Sequence, residues 1–373
     1  MGEVVFQIKS YSLSRNVETN KDTGFKYVHY GDIHRNIAKL LSSENNLPSI
    51  QKGNYEFLQK GDLVIADASE DYEGIGNSCL IDCFLSRNIV AGLHTIALRP
   101  TEVNSLFLYY LLHTDIFSQY GKVIATGTKV FGITAKNLLN FEFNLPSETE
   151  QQAIGEFFRQ LDDTIAFHQR TQKKYQNLKK SYLEKMFAKI NYAWKQRKLG
   201  EIGEYNPNGL IPNEFFYVDL ECVIGTELLF FKRYNKENAP SRAQRLAKKG
   251  DVFFQAVRPY QKNNYLFDLN EDNFIFSTGY IQIRPSLDSY FLLSSLQNQH
   301  FVDSVMEHST GTSYPAINTT DFKKLEIFIP PTKAEQQAIG EFFRQLDDTI
   351  AFHQRELEKY QQLKQVLLDQ LFV

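Results

Sequence analysis

The 373-residue sequence has few cysteines and no long apolar segment. Its three cysteines, Cys79, Cys83 and Cys222, form no Cys-x-x-Cys pair, which argues against a zinc framework and favours buried thiols in a reducing cytoplasm. The longest apolar stretches cover only a few residues, so we expect no membrane-spanning helix. The start at Met1-Gly2-Glu3 is acidic and does not match a secretory signal. These features favour a cytoplasmic protein that does not contact membranes.

An excess of charge of one sign is also lacking, because 41 Lys and Arg face 44 Asp and Glu, a formal net charge of -3. Any contact with a polyanion must therefore come from local patches rather than from a global positive field. The sequence has neither a Walker loop nor a G-x-G-x-x-G motif, which excludes those two classes of nucleotide site. Hydrophobic residues make up 42% of the chain and aromatic residues 14%, so we predict a folded protein of two or three domains.

An internal repeat organises the chain. The 21 residues from Glu150 to Arg170 recur without change from Glu335 to Arg355. Repetition over such a length predicts two copies of one structural unit. Shorter matches extend the repeat upstream: Lys60-Gly61-Asp62 with Lys249-Gly250-Asp251, Arg99-Pro100 with Arg284-Pro285, and Thr126-Gly127-Thr128 with Thr310-Gly311-Thr312. We interpret Lys-Gly-Asp as a structural turn into a buried strand.

Each copy divides into a variable stretch and a repeated tail. The variable stretches carry short apolar and aromatic runs, such as Asp62-Leu63-Val64-Ile65-Ala66 and Val252-Phe253-Phe254, separated by Gly, Asn and Pro. Such runs indicate mixed α+β globules rich in short strands. We therefore predict an α+β fold in four segments, with globules at 1–146 and 192–331 and helices at 147–191 and 332–373.

The tails have the periodicity of long amphipathic helices. In the first tail, Ile154, Phe158, Leu161, Ile165 and His168 recur at alternating steps of four and three. Both tails open on a capping-box pattern after a proline, and neither has a proline inside. A helix of this length would be about 60 Å long at 1.5 Å per residue and needs a partner to cover its apolar face.

The two tails are the obvious partners for each other. We expect them to pair as an antiparallel coiled coil, which relates the two copies by a pseudo-two-fold axis and puts one globule at each end of a rigid spacer. Because the strands of DNA are also related by a two-fold axis, two equivalent readers at fixed separation suit a site with two half-sites. The globules differ in sequence, so we expect an asymmetric site.

The combination of motifs resembles a known family. Both tails begin E-Q-Q-A-I-G-x-F-F-x-x-L-D, and the element Trp194-Lys195-Gln196-Arg197-Lys198-Leu199-Gly200-Glu201 opens the second globule. Nearly the whole chain resembles the specificity subunit of a type I restriction-modification system. One departure is that the first copy begins at Met1-Gly2-Glu3 without the tryptophan-containing lead.

The resemblance implies a non-catalytic subunit that recognises double-stranded DNA and assembles with two methyltransferase subunits and, for cleavage, with restriction subunits. Each globule would be a target recognition domain for one half of a bipartite site, and the helices would set the unread spacer. It also implies that the chain needs no cofactor of its own, since S-adenosylmethionine, ATP and Mg²⁺ belong to the partner subunits. In keeping with this, the sequence lacks the Asn/Asp-Pro-Pro-Tyr/Phe motif of adenine methyltransferases.

Local clusters of basic, aromatic and amide residues are the candidates for DNA contact. Lys and Arg can neutralise phosphates, and Arg, Asn and Gln can bind base edges in the major groove. The alternative for each cluster is a solvated loop surface or, for Thr-Gly-Thr, a plain turn. The candidates are Tyr27, Tyr30, His34, Arg35, Thr126, Thr128 and Lys129 in the first globule, and Lys232, Arg233, Arg258, Tyr260, Lys262, Thr310, Thr312, Ser313 and Tyr314 in the second.

The helices offer candidates for partner binding rather than for catalysis. We interpret His168 and His353 as buried or interface residues, since the spacing supplies no metal ligands around them, and we predict no metal site. The acidic pairs Asp162-Asp163 and Asp347-Asp348 are predicted to be solvated or partner-facing rather than acid/base catalysts. Aromatic residues outside the main seam are the candidates for docking methyltransferase subunits: Phe157, Phe167, Phe342 and Phe352.

Two other functions stay open. A coiled-coil scaffold that joins two partners without touching DNA would show the same repeat. A fused nuclease or methyltransferase is less favoured because the catalytic motifs are missing.

Overall fold

The computed structural model describes residues 1–35, 39–43, 47–188 and 193–372. The chain forms two compact units: unit 1 contains Met1–His168 and Glu356–Val373, and unit 2 contains Gln169–Arg355. Two long helices, α5 (Glu148–Ala188) and α9 (Lys333–Leu371), each contribute to both units. Across the described residues, we find no helix whose length and apolar character would let it cross a membrane.

In its described residues, the globule of unit 1 combines short strands with short helices. Its strands are β1 (Val5–Ile8), β2 (Glu18–Thr19), β3 (Phe25–Val28), β4 (Leu40–Leu41), β5 (Ser49–Ile50), β6 (Leu63–Ala66), β7 (Ala68–Ser69), β8 (Ser78–Ile81), β9 (Asn88–Ala91), β10 (Thr95–Pro100) and β11 (Phe131–Gly132). Its helices are α1 (Tyr30–His34), α2 (Ser105–Leu111), α3 (Asp115–Ile124) and α4 (Ala135–Leu139). A five-stranded sheet has the order β1-β10-β6-β8-β4, and a second sheet has the order β2-β5-β3-β9 with β3 and β9 parallel.

The globule of unit 2 repeats this plan. Its strands are β12 (Lys195–Lys198), β13 (Gly203–Tyr205), β14 (Glu214–Val218), β15 (Val223–Ile224), β16 (Glu227–Leu228), β17 (Lys232–Asn235), β18 (Ala243–Leu246), β19 (Val252–Gln255), β20 (Tyr265–Leu266), β21 (Phe274–Ser277), β22 (Tyr280–Pro285) and β23 (Glu326–Ile329). Its helices are α6 (Ser289–Gln297), α7 (Gln299–Glu307) and α8 (Thr319–Phe322). The sheet β13-β22-β19-β20 corresponds to the first sheet of unit 1, and β17-β14-β21-β18 again contains a parallel pair, β14 and β21.

The repeated Lys-Gly-Asp turns are structural, as predicted. Asp62 is 1% exposed and accepts hydrogen bonds from the Arg99 guanidinium at 2.8 and 2.9 Å. In unit 2, Asp251 is fully buried and accepts two bonds from Arg284 at the same distances. Each turn leads directly into an inner strand of its sheet, β6 in unit 1 and β19 in unit 2. The arginine contacts matter because a buried carboxylate needs a charged partner to offset its desolvation.

The long helices pack as an antiparallel pair within each unit. In unit 1 the ring of Phe372, near the end of α9, lies 5.9 Å from Phe158, near the start of α5, and 5.0 Å from Phe107 in α2. In unit 2 Phe187, near the end of α5, has the same relation to Phe343 and Phe291, at 6.0 and 5.8 Å. Burying a phenylalanine side chain is worth about 1.5–3 kcal/mol, so these rings stabilise the packing of the long helices. The predicted α+β fold with long antiparallel helices is confirmed.

The identical motif of the two tails joins each helix to its globule. Gln151 is 3% exposed; its carboxamide accepts from the Asn104 backbone N–H at 2.8 Å and donates to the Pro146 carbonyl at 2.8 Å. Gln336 makes the corresponding contacts with Asp288 and Pro330 at 3.4 and 3.2 Å. The repeated glutamine therefore satisfies buried backbone groups at the start of each helix.

The histidines and aspartates of the tails have structural roles. His168 packs against Tyr360 and His353 against Tyr175, and both histidines are buried. In unit 2, Asp347 accepts a hydrogen bond from the Tyr290 hydroxyl at 2.8 Å and pairs with Lys179.

The helix starts differ in one respect from the prediction. Ser147 and Glu150 form the expected capping box, with the Glu150 carboxylate 3.0 Å from the Ser147 N–H. At the second start, Thr332 accepts from the Glu335 N–H at 3.2 Å, but the Glu335 carboxylate accepts instead from the Trp194 indole N–H at 2.9 Å. The Glu335 carboxylate therefore binds the Trp194 indole N–H instead of the Thr332 backbone N–H, and only one of the two capping-box contacts forms at this helix start.

Candidate nucleic-acid interface

The repeated Thr-Gly-Thr sequence forms the same loop in both globules. In unit 1, Thr126 and Gly132 exchange backbone hydrogen bonds of 2.9 and 2.8 Å. In unit 2, Thr310 and Ala316 exchange two of 2.9 Å. We call residues 126–132 and 310–316 the TGT loops. They close at the same spacing, so loops that match in sequence are also equivalent in structure.

A glycine is required inside each TGT loop. Gly127 has a φ of 125° and Gly311 a φ of 90°, a backbone conformation that other residues rarely adopt. A Cβ atom on Gly127 would also lie 2.0 Å from the Val130 carbonyl oxygen. The turn brings a short set of exposed side chains to each loop tip: Thr128, Lys129 and Val130 in unit 1, and Thr312, Ser313 and Tyr314 in unit 2.

Each TGT loop lies beside the segment that follows an inner strand of its sheet, β6 in unit 1 and β19 in unit 2. In unit 1 the Ile133 N–H donates to the Asp67 carbonyl at 2.8 Å, and in unit 2 the Ile317 N–H donates to the Ala256 carbonyl at 3.0 Å. We call residues 67–77 and 256–264 the post-strand segments. Loop and post-strand segment together form one candidate surface in each globule.

In unit 1 this surface includes a groove of about 850 Å³. The groove brings Tyr30, His34 and Arg35 of the predicted set together with Val130 of the TGT loop. His34 holds the post-strand segment through a 2.8 Å hydrogen bond between its Nε2 and the Ala68 carbonyl. The α1 helix that carries these residues begins at a capping box formed by His29 and Asp32.

Carboxylates neutralise part of the positive charge in this groove. Arg15 donates to Asp32 at 2.8 Å and to Glu18 at 2.6 Å, and Arg35 lies 3.6 Å from Asp32. Burial lowers the pKa of His29, whose Nδ1 accepts from the Gly31 N–H at 3.1 Å, so this histidine stays neutral.

One predicted contact residue is wrongly assigned. Tyr27 is fully buried, and its hydroxyl donates to Glu18 at 2.7 Å. Tyr27 lies in β3, between β5 and β9, and its ring belongs to a small core that includes Ile50 and Val90. A side chain without accessible surface cannot contact DNA, so Tyr27 is a core residue.

Lys232 and Arg233 are exposed on β17 of unit 2, at the edge of its sheet. Lys232 pairs with Glu221 at 2.5 Å and Arg233 pairs with Glu214 at 2.5 Å. Exposed pairs of this kind contribute little to stability. Glu221 and Glu214 nevertheless offset the positive charge of Lys232 and Arg233.

Arg258, Tyr260 and Lys262 lie on the post-strand segment of unit 2. The Arg258 guanidinium stacks on the ring of Tyr314 at 4.3 Å from its centroid, which joins the segment to the TGT loop. Arg258 and Lys262 both have left-handed backbones, with φ of 55° and 58°. Tyr260 is 50% exposed. The structure thus brings Arg258 together with residues 310–314.

Buried amides fix this segment. The Asn264 side chain is fully buried, and its oxygen accepts from the Gln255 N–H at 2.9 Å. The Gln255 side chain donates to the Val257 carbonyl at 2.7 Å and to the Gln261 side chain at 2.8 Å. Together they hold the 3₁₀ turn Pro259–Gln261 that follows Arg258.

Several residues of the two surfaces were not predicted. Arg15, His94 and Gln255 line or support them, and only Gln255 carries a sequence signal, a polar residue ending the apolar run Val252-Phe253-Phe254. His94 has a φ of 55°, which no local pattern indicates. Among the described residues, no group of three or more His, Cys, Asp and Glu is placed to bind a metal ion.

Three of the four predicted docking residues on the helices are exposed. Phe157, Phe167 and Phe352 are 43%, 54% and 49% exposed. Phe342 is half-buried because the ring of Tyr182 packs edge-on against it at 4.9 Å.

Comparison with known proteins identifies the family. A family model described as "Type I restriction modification DNA specificity domain" matches residues 2–176 and again 191–362. The specificity subunit of the type I restriction enzyme HindI from Haemophilus influenzae is 28% identical over 192 residues, covering 48% of this chain and 41% of that protein. The chain therefore matches less than half the length of this curated relative.

Solved structures show the same fold. The S subunit of a type I restriction-modification system from M. genitalium aligns with a TM-score of 0.67 and 16% identity, over 100% of this chain and 94% of that one. A chain from a study of complex assembly and conformational transition of the type I R-M system aligns with a TM-score of 0.51 and 19% identity, over 98% and 95%. With two matches that cover most of its length, the chain belongs to the type I restriction modification DNA specificity domain family.

Proposed function

We propose that this chain is the DNA-recognition subunit of a type I restriction-modification complex, acting in the cytoplasm, and that each globule reads one half of a bipartite asymmetric site. The observation that carries the proposal is the pair of equivalent surfaces, each made of a TGT loop and a post-strand segment, in two copies of a DNA specificity domain. Such a surface offers hydroxyls and cations to phosphates and long polar side chains to base edges.

The difference between the two surfaces supports an asymmetric site. The TGT loop of unit 1 presents Lys129 and Val130 where that of unit 2 presents Ser313 and Tyr314. The groove of unit 1 contains histidines, whereas the surface of unit 2 contains Arg258 and Tyr260. Because different side chains select different bases, the two half-sites should have different sequences.

Catalysis belongs, in this proposal, to the partner subunits. Methyl transfer with S-adenosylmethionine would take place in two methyltransferase subunits, and ATP- and Mg²⁺-dependent cleavage in restriction subunits. The paired helices would set the length of the unread spacer and dock the methyltransferase subunits through Phe157, Phe167 and Phe352.

The docking residues can be tested by co-purification. A double variant with Phe167→Ser and Phe352→Ser should weaken capture of methyltransferase subunits, because it removes exposed aromatic surface without changing the core. Gln169→Ala, a change at an exposed polar residue on the same helix as Phe167, is the control. Capture of the double variant at the wild-type level would contradict docking at these residues.

Selection of binding sites tests the function itself. The full chain, alone and with methyltransferase subunits, would be incubated with a random duplex library, and retained DNA would be sequenced. We expect two short unlike half-sites at a fixed separation. Without selective retention under either condition, the scaffold alternative would replace the proposal. Binding of S-adenosylmethionine by the purified chain would favour the enzyme alternative.

A further inference from the structure

We infer that Arg258, held against Tyr314, reads a guanine in the half-site of the second globule. The inference rests on the proposed function and goes further by assigning one base to one side chain. Arginine suits guanine because its planar fork of N–H donors matches the O6 and N7 acceptors in the major groove.

Stacking on Tyr314 prepares the guanidinium for this contact. Its carbon lies 4.3 Å from the ring centroid, and Tyr314 itself is 64% exposed at the tip of the TGT loop. Stacking restricts the plane of the guanidinium while the N–H edge stays available. Since less side-chain freedom is lost on binding, such a preorganised arginine binds more tightly and more selectively than a flexible one.

The charge of Arg258 is not used within the described part of the protein. Arg233 and Arg284 of the same globule are, by contrast, paired with carboxylates: Arg233 with Glu214 at 2.5 Å and Arg284 with Asp251 at 2.8 Å. No ion pair of Arg258 occurs among residues 1–35, 39–43, 47–188 and 193–372. An arginine with an aromatic support and no carboxylate partner is poised for an external acceptor.

The backbone at Arg258 does not favour arginine. Its φ and ψ are both 55°, in the left-handed region, and the next residue is Pro259, which disfavours such a conformation further. The conformation is maintained by a 2.7 Å hydrogen bond from the Arg258 N–H to the Pro315 carbonyl and by the bridge between Val257 and Ala316. Glycine would adopt it without strain, so the fold alone gives no reason for arginine here.

The equivalent positions in unit 1 carry neither group. Asp67 and Ala256 are equivalent, because each accepts the corresponding hydrogen bond from its TGT loop. Two residues further along, the chain has Ser69 in unit 1 and Arg258 in unit 2. Val130 occupies the place of Tyr314. The Arg–Tyr element, and the guanine it reads, therefore belong to the half-site of the second globule alone.

Affinity measurements with single-base variants of the selected site would test this. The full chain with its methyltransferase subunits would be compared as wild type, Arg258→Ala, Arg258→Lys, Arg258→Gly and Tyr314→Val, with Arg197→Ala as the control for losing an exposed arginine. In the wild type, replacing one guanine of one half-site should weaken binding about 10- to 100-fold. Arg258→Ala and Arg258→Gly should remove that discrimination and leave every other position unchanged, whereas Arg197→Ala should keep it.

Arg258→Gly also separates recognition from folding. It should keep or raise the thermal midpoint, since it relieves the left-handed strain, yet lose the guanine preference. Arg258→Lys should weaken the guanine preference, because an ammonium lacks the planar fork of donors, and Tyr314→Val should reduce it as well.

Three results would overturn the inference. An unchanged motif in Arg258→Ala would overturn the guanine assignment and leave the proposed function standing. Equal weakening on all sequences would make Arg258 a phosphate contact. Failure of the wild type to select any motif would overturn the proposed function together with this inference.

Discussion

The Lys364 ammonium lies 2.5 Å from the Asp162 carboxylate, which also accepts a hydrogen bond from the Tyr110 hydroxyl at 2.9 Å. This contact joins the end of α9 to the start of α5 and to α2 within unit 1. Burial raises the pKa of Tyr110, whose hydroxyl donates this hydrogen bond. The first aspartate of the repeated Asp-Asp pair is therefore a structural residue.

We predict that Asp162→Asn destabilises unit 1. The change leaves Lys364 without its carboxylate, and losing a hydrogen-bonded charge costs about 1–3 kcal/mol. Urea unfolding followed by circular dichroism would measure the free energy of unfolding. Asp163→Asn, at the exposed neighbouring position, should stay within about 0.5 kcal/mol of the wild type. Equal effects of the two changes would contradict the structural role of Asp162.

Gly155→Ala should also destabilise the protein, although alanine favours helices. A Cβ atom at position 155 would lie 2.7 Å from the Leu106 Cβ and 3.0 Å from the Phe107 backbone nitrogen, which cannot move aside. Overpacking of this kind costs about 1–3 kcal/mol, whereas helix propensity alone would give a gain of about 1 kcal/mol. The sign of the change in unfolding free energy decides between them, with the exposed Gln152→Ala as the control.

The free energy of unfolding should decrease as the pH is lowered, because His113 becomes protonated in the unfolded chain before it does in the folded one. Burial lowers the pKa of His113 to about 4 from 6.5, and its Nδ1 donates to the Tyr109 carbonyl at 2.7 Å. Because protons bind the unfolded form more strongly between these values, stability is retained above pH 6.5 and lost towards pH 4. The slope is at most about 1.4 kcal/mol per pH unit. Unfolding free energies from pH 7 to 4 should decline less steeply in His113→Asn; an identical decline would exclude His113 as the cause.

Lengthening both helices should lengthen the unread spacer. One heptad would be inserted between Gln169 and Arg170 and one between Gln354 and Arg355, which keeps the apolar seam in register. Seven helical residues add about 10 Å, close to three base pairs. Methylation mapping should return the same half-sites at a larger separation. Changed half-site sequences at constant spacing would contradict the proposal that the helices set the spacer length.

Local features of the sequence predicted the tails well. The seam of Phe158 and Leu161 and the cap at Ser147 depend on residues within a few positions of each other, so periodicity and spacing were sufficient. The acceptor of Trp194 could not be found in this way, since Glu335 is 141 positions away.

The candidate site was predictable only in part. The repeat indicated the TGT loops, because Gly127 and Gly311 are needed wherever such a turn occurs. In the sequence, Tyr27 resembled the neighbouring groove residues Tyr30 and Arg35, and only the pairing of β3 with β9 shows that it is buried. Stacking of Arg258 on Tyr314 joins two segments through a left-handed backbone, for which the sequence contains no signal.

Because Leu368 and Phe372 belong to the core of unit 1, that core is not complete until the ribosome has made unit 2. Domains usually fold in the order of their synthesis, but here one part of the first core is added last. Until then the apolar surface of Phe107 and Phe158 stays uncovered. We therefore expect a chain truncated before residue 356 to be less soluble than the full chain, which the soluble fraction after expression would measure.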